Sequence, residues 1–352
     1  LIRALVSCGH SVSVLGHDTQ EDDCLFDGAN FIRYNSLTQW NDADPGNANR
    51  SIRDVVDAKA GGSDAFEAIR RFQPDVVLVD FFMREVLKAA NASNVPLIAL
   101  GSVTFTSIQH GEMPATLNFA DLIIIFSDSV FEETVPDCDR FIYVGQLRPH
   151  GAREPISFEW TSNKKRILVS LSTSFQDQYS TLQRLCDALG DLEVEVLVTS
   201  GKAIHPSSLE RGANTRIERH ISHDVALKGC DLLITHAGHG TMLAGATYGV
   251  PMVCMPMGRD QFANSSRAQQ LGIACILSNK ATLEEIREAV NFALENVDML
   301  NCARELSARL NRRESLNLVY KGFPVSASNR FPDRRLCRRR VALLATVDSN
   351  LR

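Results

Sequence analysis

No apolar run in this 352-residue sequence approaches the roughly 20 residues that a membrane-crossing helix needs. Nor does a charged, apolar and small-residue leader open it. Cytoplasmic residence without stable membrane insertion is therefore the expectation. The nine cysteines include no CxxC pair, which removes the zinc-ribbon and dithiol-redox classes; widely spaced at positions such as 8, 138, 230, 254 and 275, they read as buried thiols of a reducing compartment. An excess of positive charge is also lacking. With 37 Lys and Arg against 42 Asp and Glu, the net charge of −5 provides no overall basic field to hold a polyanion, so nucleic acid is not the expected partner. What remains, at 44% hydrophobic and 22% charged residues, is the composition of an ordinary packed protein with a small-molecule ligand.

The length suits two domains at roughly 150 residues each. Short apolar runs alternate with amphipathic stretches: 12–16, 76–80, 97–101, 122–126 and 141–145 in the first half, and 166–171, 194–199, 216–221, 232–235, 252–256 and 273–277 in the second. This βα rhythm predicts two doubly wound parallel sheets. The rhythm stops where Pro149, Gly151 and Pro155 cluster. The expected organisation is a first Rossmann-like domain over 1–148, a linker over 149–165, a second Rossmann-like domain over 166–318, and a solvated, disordered basic tail over 319–352. Residues 21–64 read as long polar loops. The chain opens with apolar residues at helical spacing, Leu1, Leu5, Val6 and Cys8, closed by Gly9. In an alternating fold such a helix follows a strand and a loop, so that strand is expected ahead of Leu1, missing from an edge of the first domain.

The densest chemistry lies in DLLITHAGHGTMLAGATYGVPMVCMPMGRDQ, residues 231–261. A strand, a glycine-rich turn, a helix starting near Thr241, a second strand and a polar loop follow one another. Gly238 and Gly240 let the backbone approach a ligand, and a helix N-terminus aims N–H groups and partial positive charge at the turn, as a diphosphate requires. His236 can donate to a phosphate oxygen, and Thr241 can add its hydroxyl while capping the helix. Taken singly, each residue has a plainer structural reading, a tight turn and a satisfied histidine. A dinucleotide site is not favoured, because GxGxxG would need a glycine at Leu243 and the nearest is Gly245.

As a whole the stretch resembles the donor signature of family 1 GT-B glycosyltransferases, especially the bacterial branch acting on macrolides and glycopeptides. HAGHGT at 236–241, GVP at 249–251 and GRDQ at 258–261 carry the likeness, with ILVSLSTSFQ at 167–176, VGQLRP at 144–149 and LVDFF at 78–82. It spans most of residues 1–315. The resemblance implies two Rossmann-like domains facing across a cleft, with the second binding a UDP- or dTDP-sugar and the first a small lipophilic or natural-product acceptor hydroxyl. It further implies inverting transfer with neither cofactor nor metal. His236, Gly238, His239, Gly240 and Thr241 would lie on the phosphates near Ser172 and Thr173. Ile221 and His223 would lie by the nucleobase, and Asp260 and Gln261 on the sugar. Asp80 matches the aspartate that orients a catalytic histidine in better-studied relatives; the histidine's own loop would precede Leu1. Ala244 departs from the family, which often has a ribose-binding glutamate there. That departure and the missing loop keep open a non-catalytic nucleotide-sugar-binding protein and, further off, a nucleotide-sugar epimerase.

Two metal readings are set aside. Asp42 and Asp44 have DxD spacing but sit in a turn-like context with Pro45 and Gly46, and His220, His223, His236 and His239 lack an acid at ligand spacing.

Overall fold

The computed structural model describes residues 1–35, 59–102, 115–133, 139–146, 158–172, 176–311 and 340–344. They form two compact units, the first from described residues up to 146 together with 340–344, the second from 158 to 311. The acidic pair at 42 and 44 and the candidate Thr173 lie outside the described residues.

In the first unit, helix α1 (Ile2–Ser7) leads through Gly9, at φ 84°, into strand β1 (Ser11–Gly16). Helix α2 (Glu21–Phe26), strand β2 (Asn30–Arg33), helix α3 (Lys59–Phe72), strand β3 (Val76–Asp80), helix α4 (Arg84–Ala92) and strands β4 (Leu97–Gly101), β5 (Leu122–Ile125) and β6 (Phe141–Tyr143) follow. Part of the expected 21–64 loop region is thus regular. The reason is visible in α2 and β2: Glu21, Asp22 and Asp23 fill a helix's first turn, where acids are favoured, and this polarity masked the element.

The second unit runs from β7 (Lys165–Ser170) through α5 (Tyr179–Leu189), β8 (Val194–Thr199), β9 (Thr215–Glu218), α6 (His223–Ala226), β10 (Leu232–Thr235), α7 (His239–Tyr248), β11 (Met252–Cys254), α8 (Gln261–Gln270), β12 (Ala274–Ile276), α9 (Leu283–Glu295) and α10 (Val297–Asn311). Its six strands, all parallel, lie in the order β12-β11-β10-β7-β8-β9. Chain direction across the sheet reverses between β7 and β10. Ligands of open α/β sheets sit beyond the carboxyl ends of strands at such a reversal, and those ends here are Ser170 and Thr235.

The last described element is β13 (Arg340–Leu344), which returns to the first sheet. That sheet has seven parallel strands in the order β2-β1-β13-β3-β4-β5-β6. β13 lies centrally, with Val341 opposite Val12 on one side and Val76 on the other. This corrects one expectation. Residues 340–344 are not part of a solvated tail: they form a strand between β1 and β3. Val341 and Leu343 pack with Ile2, Leu5, Val12 and Val14 on one face, while Ala342 and Leu344 pack with Ala65, Val77 and Val79 on the other. A central parallel strand is buried on both faces, so its run of apolar residues need not alternate with polar ones.

The cysteines divide. Cys24, Cys186 and Cys254 are buried as expected, whereas Cys8, at the end of α1, is exposed.

Candidate functional site

The glycine-rich turn follows β10 directly. Buried Leu232, Leu233 and Ile234 fix this central strand, and the chain must then reverse within a few residues to lay α7 back on the sheet. It does so through Ala237, held left-handed at φ 62°, a conformation that costs a non-glycine residue free energy and clusters at functional positions. Gly238 is the N-cap of α7 and uses no side-chain cap. The helix begins at His239, so Thr241 lies in its first turn. The expected capping role of Thr241 is therefore replaced by a glycine backbone. A Cβ on Gly238 would stand 2.6 Å from His236 Nε2, which explains the glycine sterically: the imidazole occupies that space. Farther along α7, a Cβ on Gly245 would come within 2.8 Å of Leu233 and 3.1 Å of the Met252 sulfur, so the helix lies hard against the sheet. Ala244 is wholly buried in that contact.

His236 is 8% exposed, and its Nδ1 has no hydrogen-bond partner among the described residues. Burial, and after it the charge of Arg259, pushes its pKa down to about 4, against a hydrogen bond to the Ser170 backbone that acts the other way. It is a neutral donor or acceptor near pH 7. His223, at the start of α6, is pushed down to about 4 chiefly by burial, and its Nε2 lies 3.2 Å from Ser170 Oγ, which in turn accepts from Thr199 Oγ1 at 3.1 Å. His223 thus joins the carboxyl ends of β7 and β8. Ile221 is buried, and His239 is 4% exposed.

The loop after β11 contributes a second polar group. Gln261 turns Oε1 onto the N–H groups of Met257 and Gly258, at 2.8 and 3.1 Å, and donates from Nε2 to Gln176 Oε1 at 3.0 Å. Gln176 donates onward to Ser172 Oγ. Ser172, Gln176 and Gln261 are thereby one hydrogen-bonded assembly, and Gln176 is a member that sequence reasoning missed. Asp260 accepts at 2.8 Å from Asn264 Nδ2. Burial raises its pKa, opposed by that bond and by the charge of Arg259. Arg259, also left-handed at φ 58°, was likewise missed. Its charge acts on both His236 and Asp260. Asn264, four residues beyond Asp260, was detectable in principle from the i, i+4 spacing on α8.

In the first unit, Asp80 ends β3 at zero exposure and its Oδ1 accepts from Phe82 N–H at 2.9 Å. It therefore secures its own turn. Among the described residues no group of three His, Cys, Asp or Glu is arranged to hold a metal ion, and no helix is long and apolar enough to cross a membrane.

The histidine shift makes stability depend on pH. A histidine whose folded pKa lies below its unfolded value of about 6.5 binds fewer protons folded than unfolded between the two values, so stability is lost as pH falls through that window. For His236, a shift to about 4 corresponds to roughly 3 kcal/mol at most. Asp260, with its raised pKa, acts in the opposite sense. Melting of the second unit between pH 6.5 and 4 should therefore fall more steeply in the native sequence than in His236→Gln, and equal slopes would remove His236 as the cause.

Comparison with known proteins places these features. Residues 183–315 match the family model described as erythromycin biosynthesis protein CIII-like, C-terminal domain. An NDP-glycosyltransferase of Bacillus subtilis, YjiC, is 25% identical over 270 residues, covering 66% of this chain and 68% of that protein. The oleandomycin glycosyltransferase of Streptomyces antibioticus is 27% identical over 203 residues, 56% of this chain and 47% of its own length. The chain likewise spans about half, 48%, of an uncharacterized UDP-glucosyltransferase of Bacillus subtilis, YojK, to which it is 23% identical over 194 residues, 54% of this chain. Among solved structures, the glycotransferase of kitacinnamycin superposes with a TM-score of 0.73 at 20% identity, over 91% of this chain and 92% of that one.

Proposed function

We propose that this chain, a GT-B fold similar to the family 1 glycosyltransferases, moves a sugar from a nucleoside diphosphate to the hydroxyl of a small acceptor. The observation that carries the reading is the turn after β10. There a buried neutral imidazole, with one nitrogen unpartnered among the described residues, meets the N-terminus of a ten-residue helix at the sheet's reversal point. Buried polar atoms are nearly always hydrogen-bonded, and a diphosphate oxygen is the partner this place suits. Helix N–H groups and Arg259 add positive character where the leaving group gathers charge. Thr241 belongs to the helix's first turn and is proposed on the phosphates with His239 and Gly240. Ser172 and Thr173 would lie close by, Ile221 and His223 toward the nucleobase, and Asp260 and Gln261 on the sugar hydroxyls.

The chemistry proposed is a single inverting displacement. A base takes the acceptor's proton, the acceptor oxygen bonds to the anomeric carbon, and the carbon–oxygen bond to the diphosphate breaks with its electron pair leaving on the diphosphate. Residues of this chain supply donor binding and charge stabilisation without a metal step. Asp80 is proposed to position that base; its bond to Phe82 holds the carboxylate in one orientation. A nucleotide-sugar-binding protein without turnover is the second reading, favoured by the buried Ala244 helix face, which offers no carboxylate to the ribose.

Calorimetric titration with UDP, dTDP and NAD in the presence of chelator tests the donor site. One pyrimidine nucleoside diphosphate should bind, NAD should not, and His236→Ala should weaken binding by about 1–3 kcal/mol. A folded native protein that binds neither diphosphate would overturn the reading.

A further inference from the structure

Asn264 takes no part in the site as described so far beyond its bond to Asp260, yet it is 2% exposed and uses one nitrogen twice. Its Nδ2 donates to Ala237 O at 3.0 Å and to Asp260 Oδ2 at 2.8 Å. The first acceptor is the carbonyl of the left-handed residue between His236 and Gly238; the second is the carboxylate proposed for the sugar. These two stretches of chain lie 23 residues apart in sequence, on the loops following β10 and β11, and this single amide joins them.

We propose that Asn264 is a positioning residue that sets the Ala237 turn and the Asp260 carboxylate at a fixed separation, so that diphosphate and sugar are held in register. The inference rests on the donor-site reading above.

The residue type follows from the two acceptors. A buried carbonyl and a half-buried carboxylate each need a donor, and an amide NH2 supplies two N–H bonds from one atom. Aspartate at 264 would turn an acceptor toward each of them and set a second carboxylate beside Asp260, and a serine hydroxyl has only one proton to give. The left-handed backbone at Ala237 persists only while its surroundings hold it, and the Asn264 bond to its carbonyl is one such restraint. The bond to Asp260 favours the ionised carboxylate against the burial that disfavours it, and an ionised carboxylate is the better acceptor for sugar hydroxyls. Losing Asn264 should therefore loosen the phosphate turn somewhat and misplace the sugar-binding group more.

The test compares the affinity of the full chain for UDP and dTDP with its affinity for the corresponding nucleotide sugar, in the native sequence, Asn264→Ala, Asp260→Asn and the double variant, each first shown to be folded by thermal melting. Asn264→Ala should weaken the nucleotide sugar by roughly tenfold more than the diphosphate alone. The double variant should lose little beyond Asp260→Asn, because residues acting through one another are not additive. Equal losses for both ligands, or none, would mean that Asn264 merely supports the fold, and would overturn the proposal while leaving the donor site standing. If the native chain binds neither diphosphate, the donor reading falls and this proposal falls with it. Should Asn264→Ala not fold, Asn264→Ser, which keeps one donor, is read by the same ratio.

Discussion

Removing residues 340–352 should unfold the first unit and leave the second unit folded. β13 takes both its neighbours' ladders, with β1 on one side and β3 on the other, and an additional backbone bond from Asp75 N–H to Arg340 O at 2.8 Å. Val341, Leu343 and Leu344 are each at most 1% exposed. Burying three such side chains contributes about 5–9 kcal/mol at roughly 1.5–3 kcal/mol each, the size of a whole domain's net stability of about 5–15 kcal/mol. Among the described residues no other strand lies between β1 and β3. Hydrogen exchange measured by mass spectrometry reads the result: amides of β1, β3 and β4 should lose protection in the shortened chain, while those of β7, β8 and β10 keep it. Retained protection in β3 would show that β13 is dispensable and its central place energetically unimportant.

The second large effect is expected at Gly238, where valine should weaken diphosphate binding about a hundredfold, roughly 2.7 kcal/mol, in a chain that still folds. The backbone there, φ −58° and ψ 136°, is open to any L-residue, so the conformation itself is not strained. The contact is: a Cβ would stand 2.6 Å from Nε2 and 2.8 Å from Cε1 of His236. The ring must swing out of its place, and the branched side chain then fills the approach to the first turn of α7. Gly249, at the other end of the same helix, is the control. Its φ of 69° makes Gly249→Ala costly to the fold, on the order of 1 kcal/mol, with binding unaltered in the folded protein. Should Gly238→Val bind diphosphate as the native chain does, the turn after β10 is not the phosphate site.

The strands that proved legible are those whose whole length is an apolar run, such as Val76–Asp80, Leu97–Gly101 and Leu232–Thr235, since parallel strands are buried on both faces. β13 has that character too, in Val341 to Leu344, but it directly follows a segment crowded with arginine at 334, 335, 338, 339 and 340. Sequence proximity assigned it the character of its neighbours. Which slot a strand enters is a long-range matter that no local pattern carries. The site was legible where chemistry coincided with a contiguous stretch, at 236–241 and 260–261. Gln176 and Asn264 escaped notice because their importance lies in which carbonyl or carboxylate they reach across the fold. The start of α7 was misplaced by two residues because glycine at 238 and 240 reads as loop, whereas here Gly238 caps the helix and Gly240 lies inside it.

The position of β13 also bears on how the chain is made. During synthesis β1 and β3 emerge early, but the strand that must lie between them is translated only after the whole second unit. Until then each presents an unpaired edge, the kind of surface that recruits foreign strands. The second unit, whose six strands are contiguous in sequence, can finish first. The first unit's sheet can therefore be completed only after the second unit has been made, the reverse of the usual amino-terminal-first order.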